Sequence, residues 1–147
     1  MTTTAGNAPT TLGSPSRKGI ARYLAGGLAI LFGLATLVEG GNVLFGGVDA
    51  CTEAGNVVPF VLTFNFLAGF LYVATGSLTI LHKPIAVWLA RGLAVATVLV
   101  FIGLGVHILA GGAFENRTAV AMTIRSVFWS VQALALPALL ARGKAQP

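Results

Sequence analysis

Charged residues are scarce in this chain of 147 residues: Asp, Glu, Lys and Arg together make up only 9%. A soluble domain carries about a quarter charged residues, which it needs to cover its surface. Hydrophobic residues reach 56%, and the mean hydropathy is +0.88. The shortage of charge excludes an ordinary water-soluble fold and indicates an integral membrane protein.

Cysteine is nearly absent as well. The single cysteine, Cys51, excludes an intramolecular disulfide and any metal or iron–sulfur site that needs several cysteines. Basic residues are more frequent than acids, with a net charge of +5. They flank apolar runs and form no basic stripe interleaved with aromatic residues, so the charge indicates membrane topology rather than a nucleic-acid partner.

Four apolar runs are long enough to cross a bilayer, since a helix needs about 20 residues to span the hydrocarbon core. They cover residues 20–45, 57–81, 85–110 and 119–141. Short connections favour antiparallel packing of consecutive helices. The sequence therefore predicts an all-α, integral membrane, up-down four-helix bundle over residues 19–142. A disordered cytoplasmic tail is expected over residues 1–18, and a second cytoplasmic tail over residues 143–147.

Basic residues near the span ends set the expected orientation. Seven of them would lie on one side of the predicted bundle: Arg17, Lys18, Arg22, Lys83, Arg91, Arg142 and Lys144. The other side would hold Arg117 and all four acids of the sequence: Glu39, Asp49, Glu53 and Glu115. Both termini are thus predicted to be cytoplasmic, in the inner (plasma) membrane.

One polar residue in each predicted span falls at a similar depth in the outer half of the bilayer. The four residues are Glu39, Asn65, His107 and Arg125. The residues around Arg22 resemble those around Arg91, and counting 1.5 Å per residue from each arginine brings Glu39 and His107 to nearly the same level. A duplicated two-helix unit and chance similarity both explain this resemblance, but the common depth depends on neither.

Arg125 is the strongest candidate for a functional residue, because ionisable groups within a span usually face the bundle interior and have partners. Glu39 is the expected counter-charge, and Trp129, four residues further along the helix, offers a cation–π face. The alternatives are a Glu39 exposed at the membrane surface, an interfacial His107 and an Asn65 that only bonds a neighbouring helix. Glu115 and Arg117 in the outer connector are expected to cover this region.

Metal binding and catalysis are less favoured by the pattern. Glu39, His107 and Glu115 could combine with residues of the first outer connector as a mixed ligand set. However, no HxxxH, CxxC or ExxH motif occurs, and Arg125 would repel a cation. No metal site and no catalytic residue is predicted, because Cys51 and the serines lack a neighbouring base. The isolated chain is not expected to be an enzyme.

The first three predicted helices resemble the DoxX-like family of small four-helix membrane proteins. The resemblance lies in Arg22, Gly26 and Gly33, in the run from Asn65 to Gly69, and in the apolar residues 86–99. Asn65 stands where that family commonly has an acid, and residues 115–132 do not follow its pattern. The resemblance implies an accessory subunit linked to quinone or thiol redox chemistry.

Three functional hypotheses follow. The first is a small inner-membrane accessory or ligand-binding protein, with a quinone as a possible ligand, whose site comprises Glu39, Asn65, His107, Arg125 and Trp129. The second is a small proton-coupled transporter. The third is a purely structural subunit of a larger membrane complex. Membrane lipid, such a complex or a second copy of the chain are the expected partners.

Overall fold

The computed structural model describes residues 17–141, without the side chain of Cys51. The described residues form five helices: α1 (Arg17–Phe45), α2 (Gly47–Ala54), α3 (Pro59–Ile80), α4 (Ile85–Leu109) and α5 (Asn116–Leu140). No strand occurs within this part of the chain. The predicted all-helical class is confirmed.

The four long helices match the four predicted spans to within three residues at each end. Each is long and apolar enough to cross a membrane, which supports a multi-pass membrane protein. The fifth helix, α2, was not predicted: the Gly-rich outer connector folds into eight helical residues between α1 and α3. Helix α5 also begins three residues before the predicted span, at Asn116, with Glu115 at the N-cap position.

The predicted tails lie almost wholly outside the described residues. The exceptions are Arg17 and Lys18, which were assigned to the disordered tail but form the first turn of α1. The amphipathic start of a membrane helix often extends beyond its apolar run, since basic side chains can reach toward the lipid head groups.

Glycines bring α1 and α3 into close contact. A Cβ added at Gly33 would lie 2.9 Å from the carbonyl oxygen of Gly69, and one added at Gly26 would lie 2.8 Å from that of Gly76. Residue numbers rise along α1 as they fall along α3, so the two helices run in opposite directions. Small residues permit this approach, which replaces the hydrophobic drive that is missing between helices in lipid.

Two apolar clusters fill the bundle on either side of Arg125 along α5. One surrounds Tyr72 and Trp129, which are both fully buried. The other contains Val58, Val61, Leu104 and Met122. These clusters hold α5 against α3 and α4, and they fix the direction in which Arg125 points.

Two connectors end their helices with the same backbone motif. At the end of α4, Gly111 has φ +82°, and the next amide, Gly112 N–H, donates to the His107 carbonyl. At the end of α3, His82 has φ +56°, and Lys83 N–H donates to the Leu78 carbonyl. Glycine is the usual residue at this left-handed position. A residue with a Cβ pays about 1–2 kcal/mol there, so His82 is an exception.

Charge is separated along the bundle. The N-terminus of α1 and the α3–α4 connector lie together, as the contact of Arg22 with His82 shows. We call this the basic end, defined by Arg17, Lys18, Arg22, Lys83 and Arg91. We call the opposite end the acidic end, defined by Glu39, Asp49, Glu53 and Glu115.

Candidate functional site

A cavity of about 440 Å³ lies at the acidic end, where α1, α2, α3 and α5 meet. Its polar and charged lining residues are Thr36, Glu39, Asn42, Glu53, Asn65, Arg117, Thr118 and Arg125. Its apolar lining comes mainly from the start of α3, with Val57, Val58, Val61 and Leu62. The cavity therefore offers both polar groups and an apolar wall.

Arg125 is the most buried charged residue of this lining. It is only 6% exposed and belongs to a buried stripe of α5 with Met122, Trp129 and Gln132. The predicted inward orientation of Arg125 is therefore observed. The stripe follows from helical spacing, since residues three or four apart share one face.

The guanidinium of Arg125 has few partners for a buried cation. Its Nη2 donates to Thr36 Oγ1 over a long 3.4 Å and lies 3.7 Å from Glu39 Oε2. Its Nε is buried without a hydrogen-bond partner. An arginine carries five N–H donors, and an unmet buried donor costs about 1–3 kcal/mol. Arg125 thus retains donors for an additional acceptor.

Glu39 lies near the end of α1 and pairs with Arg125, as the sequence predicted. The two side chains differ in exposure, however: 77% of Glu39 and 7% of Arg125 are exposed. Glu39 therefore stands at the mouth of the cavity, while Arg125 stands at its base. An ion pair with one exposed partner is weak, so Glu39 compensates the arginine only in part.

Asn65 brings an acceptor to the same cavity from α3. Its Oδ1 is buried and has no hydrogen-bond partner. Because Arg125 supplies donors and Asn65 an acceptor, the base of the cavity can bond both kinds of ligand group. Three of the predicted site residues, Glu39, Asn65 and Arg125, are thus brought together.

Arg117 and the short helix α2 form the rim. Arg117 Nη2 donates to the Glu53 carbonyl over 2.9 Å, which ties the start of α5 to the end of α2. Both residues line the cavity. Of the two connector residues predicted to cover the site, Arg117 lies at its rim, together with a helix that was not expected.

Glu115 acts beside the cavity and does not line it. Its Oε1 accepts hydrogen bonds from the backbone N–H of Asn56, at 2.9 Å, and from the side chain of Asn56, at 3.2 Å. Glu115 therefore fastens the α4–α5 connector to the loop between α2 and α3.

His107 does not join the other three polar residues, which corrects the expectation of a cluster drawn from all four long helices. Its Nε2 lies 3.1 Å from the Ala113 carbonyl oxygen, and its ring meets Phe60 edge-on. The depth of His107 was inferred from a residue count along α4. A residue count fixes the height of a side chain but not the face of the helix on which it lies.

Trp129 lies in the core below the cavity and is not among the residues that line it. Its ring packs against Tyr72, with 4.7 Å between ring centroids. The aromatic face over which Arg125 lies belongs instead to Phe32 of α1, 5.6 Å from the guanidinium carbon to the ring centroid. The cation–π contact expected with Trp129 is replaced by one with a ring from a neighbouring helix.

Sequence reasoning missed Thr36, Phe32 and Glu53 as neighbours of the site. Thr36 and Glu39 are three residues apart on α1, so they lie on neighbouring positions of the helix surface. The sequence could have revealed Thr36, because it is a polar residue about one helical turn before the candidate residue Glu39. Phe32 and Glu53 carried no such signal, because apolar and connector residues are common throughout the chain.

The formal charges of the cavity lining cancel, because Glu39 and Glu53 balance Arg117 and Arg125. Among the described residues, no three His, Cys, Asp or Glu side chains are grouped so that they could hold a metal ion. What the lining offers is hydrogen bonding beside an apolar wall. Comparison of the chain with protein-family models, with curated proteins and with solved structures found no match.

Proposed function

We propose that this chain is a four-pass protein of the inner membrane that binds a neutral amphipathic ligand in the cavity at its acidic end. A quinone is the first candidate. The observation that carries the proposal is the buried guanidinium of Arg125, which has a long bond to Thr36, a partial counter-charge in Glu39 and an unpartnered Nε. A carbonyl oxygen of the ligand would take the unused donors.

The chemistry of the lining favours this class of ligand. Two acids and two arginines give the lining no net formal charge, which selects neither an anion nor a cation. A quinone is neutral and has acceptor oxygens. Small-molecule sites are typically 300–1,000 Å³, and the cavity of about 440 Å³ lies within that range and has an apolar wall beside its polar groups.

A route for an apolar tail adjoins the cavity. A second, shallower depression of about 530 Å³ lies between the end of α1 and the start of α3. The two share Val43, Val57 and Leu62. A ligand with its head group at Arg125 would pass its tail over these residues into lipid.

The proposed orientation places the basic end in the cytoplasm and the cavity at the outer face, with four helices packed up and down across the bilayer. The asymmetry of Lys and Arg supports this arrangement. The resemblance of the first three long helices to the DoxX-like family adds an accessory role beside a redox partner. The run from Asn65 to Gly69, on which that resemblance depends, supplies one cavity residue and one glycine that contacts α1.

Purification from native membranes in a mild detergent, followed by mass spectrometry of extracted lipids, tests the proposal. The unmodified chain should carry quinone at a higher ratio to phospholipid than the bulk membrane does. Arg125→Leu should lose this enrichment. Arg91→Leu is the matched control, because Arg91 lies at the basic end over Trp88, 5.4 Å from the ring centroid.

The same experiment distinguishes the ligand-binding role of Arg125 from a purely structural one. If Arg125→Leu cannot be purified as a folded protein while Arg91→Leu can, Arg125 serves to assemble the bundle. If the unmodified chain and both variants carry quinone only at the membrane ratio, the ligand proposal is wrong. Thermal unfolding of each preparation distinguishes these two results.

A further inference from the structure

Within residues 17–141, the basic end has no carboxylate to neutralise its charge. All four acids of the sequence lie at the acidic end, and the one ion pair among the described residues joins Arg125 to Glu39 there. Five basic residues of the described part remain at the opposite end without a carboxylate: Arg17, Lys18, Arg22, Lys83 and Arg91. An anion from outside the chain is the natural counter-charge for such a group.

Arg22 is the best-positioned of these residues. Its Nη1 bonds His82 Nδ1 across 60 residues of chain, at 2.5 Å, and its Nε is buried without a hydrogen-bond partner. Because arginine only donates, His82 Nδ1 takes the acceptor role in this contact. His82 brings no negative charge, so the contact orients the guanidinium without neutralising it.

His82 contacts Arg22 from a backbone conformation that is energetically unfavourable for a residue with a Cβ. His82 adopts a left-handed conformation that Gly111 adopts in the corresponding motif at the end of α4. Strained residues often mark positions where the side chain is needed. In this conformation the imidazole contacts Arg22, and Lys83 follows directly at the same connector.

The start of α4 adds to the positive potential. The helix begins at Ile85, two residues after Lys83, and its N-cap residue Pro84 provides no side-chain hydrogen bond. The N-terminus of a helix carries a partial positive charge that stabilises anions, above all phosphate. The N-terminus of α4 therefore favours anion binding at this connector but does not by itself define a binding site.

Aromatic and apolar side chains flank the charged group. Tyr23, whose ring centroid lies 5.0 Å from the guanidinium carbon of Arg22, is 55% exposed, and Leu24 is 62% exposed. Tyr and Trp favour the boundary between lipid tails and head groups. The surface beside Arg22 therefore suits a molecule that has a phosphate and hydrocarbon chains, which a free phosphate ion lacks.

We propose that Arg22, Lys83 and the connector around His82 form a binding site for the phosphate of an anionic phospholipid. Arg22 would donate to the phosphate while His82 keeps it oriented, and Lys83 would supply a second charge. The acyl chains would lie along the surface beside Tyr23 and Leu24. This site is independent of the proposed quinone cavity, which lies at the other end of the bundle.

The test is native mass spectrometry of the full chain in a neutral detergent, titrated with phosphatidylglycerol or phosphatidylcholine. Phosphatidylglycerol should bind at least fivefold more tightly. Arg22→Gln should weaken its binding about fivefold, the effect of one basic residue near a lipid head group. Arg117→Gln, which removes an arginine at the acidic end, should leave it unchanged.

Lys83→Gln provides a second test that does not depend on the fold, because Lys83 is an exposed connector residue. It should also weaken phosphatidylglycerol binding about fivefold. Equal affinity for the two lipids would overturn the proposal, as would an equal loss in Arg117→Gln. Displacement of the lipid by millimolar inorganic phosphate would show that the site recognises the free ion and would also overturn it.

Discussion

The guanidinium of Arg125 lies 3.7 Å from the carboxylate of Glu39, and both residues line one cavity although Arg125 is buried and Glu39 is exposed. Arg125 is held by the buried face of α5, whereas Glu39 is reached from outside the bundle. The pair therefore combines a buried donor with an exposed carboxylate. A ligand oxygen can bond Arg125 without displacing any strong partner.

Replacing Glu39 with Gln should change stability little. An ion pair with one exposed partner contributes less than about 1 kcal/mol, so the free energy of unfolding should fall by no more than that. Arg125→Leu should also keep the fold, because it removes a poorly partnered buried charge and leaves only an exposed carboxylate, Glu39, without its partner. Unfolding in mixed micelles of increasing denaturing detergent measures both. A collapse of stability in Arg125→Leu would contradict this account.

Gly33→Ala should destabilise the α1–α3 contact. The added Cβ would meet the Gly69 carbonyl oxygen at 2.9 Å and the Tyr72 Cβ at 2.9 Å, and overpacking of this kind costs about 1–3 kcal/mol. Gly27→Ala is the matched control on the same helix, because its Cβ would have no neighbour within 4 Å. Equal stabilities of the two variants, measured by the same unfolding assay, would contradict the close contact between α1 and α3 at Gly33.

Gly111→Ala should lower the free energy of unfolding by about 1–2 kcal/mol, the cost of a left-handed backbone for a residue with a Cβ. The space around Gly111 is open, so the loss would arise from its φ of +82° and not from a clash. Gly105→Ala, also without a neighbour within 4 Å but within the helix α4, should cause no loss. A destabilised Gly105→Ala with an unchanged Gly111→Ala would reverse the expected order.

Arg117→Gln should loosen α2 without unfolding the bundle. The bond from Arg117 to the Glu53 carbonyl is the side-chain hydrogen bond that joins α5 to the end of α2. Amide hydrogen exchange should therefore rise about fivefold in residues 47–54, the change expected for one bond worth about 1 kcal/mol. Exchange in α3 and α4 should stay the same. Lys83→Gln, at the basic end, is the control and should leave α2 unaffected.

The four long helices could be predicted because a membrane demands a long apolar run, and such runs are visible in any sequence. Their ends were found to within three residues. The short helix α2 could not be predicted in the same way. Eight residues with two charges do not resemble a span, and they form a helix where the packing of Ala54 and the bond from Arg117 support it.

The sequence predicted the depth of the candidate site residues along their helices, but not the directions in which their side chains point. Residue counting placed Glu39, Asn65 and Arg125 at one level, and the structure brings them to one cavity. The same count placed His107 with them, although its ring turns to the α4–α5 connector. The contact of Arg125 with Phe32 instead of Trp129 has the same origin, since spacing along one helix says nothing about side chains that a neighbouring helix supplies.

Calorimetric titration of the purified chain with a short-chain benzoquinone tests the central claim most directly. The unmodified chain and Arg91→Leu should bind with the same affinity, and Arg125→Leu should bind at least about tenfold more weakly at unchanged thermal stability, the loss expected for a hydrogen bond to a charged donor. Equal binding by a folded Arg125→Leu, or no binding by the unmodified chain, would contradict the account.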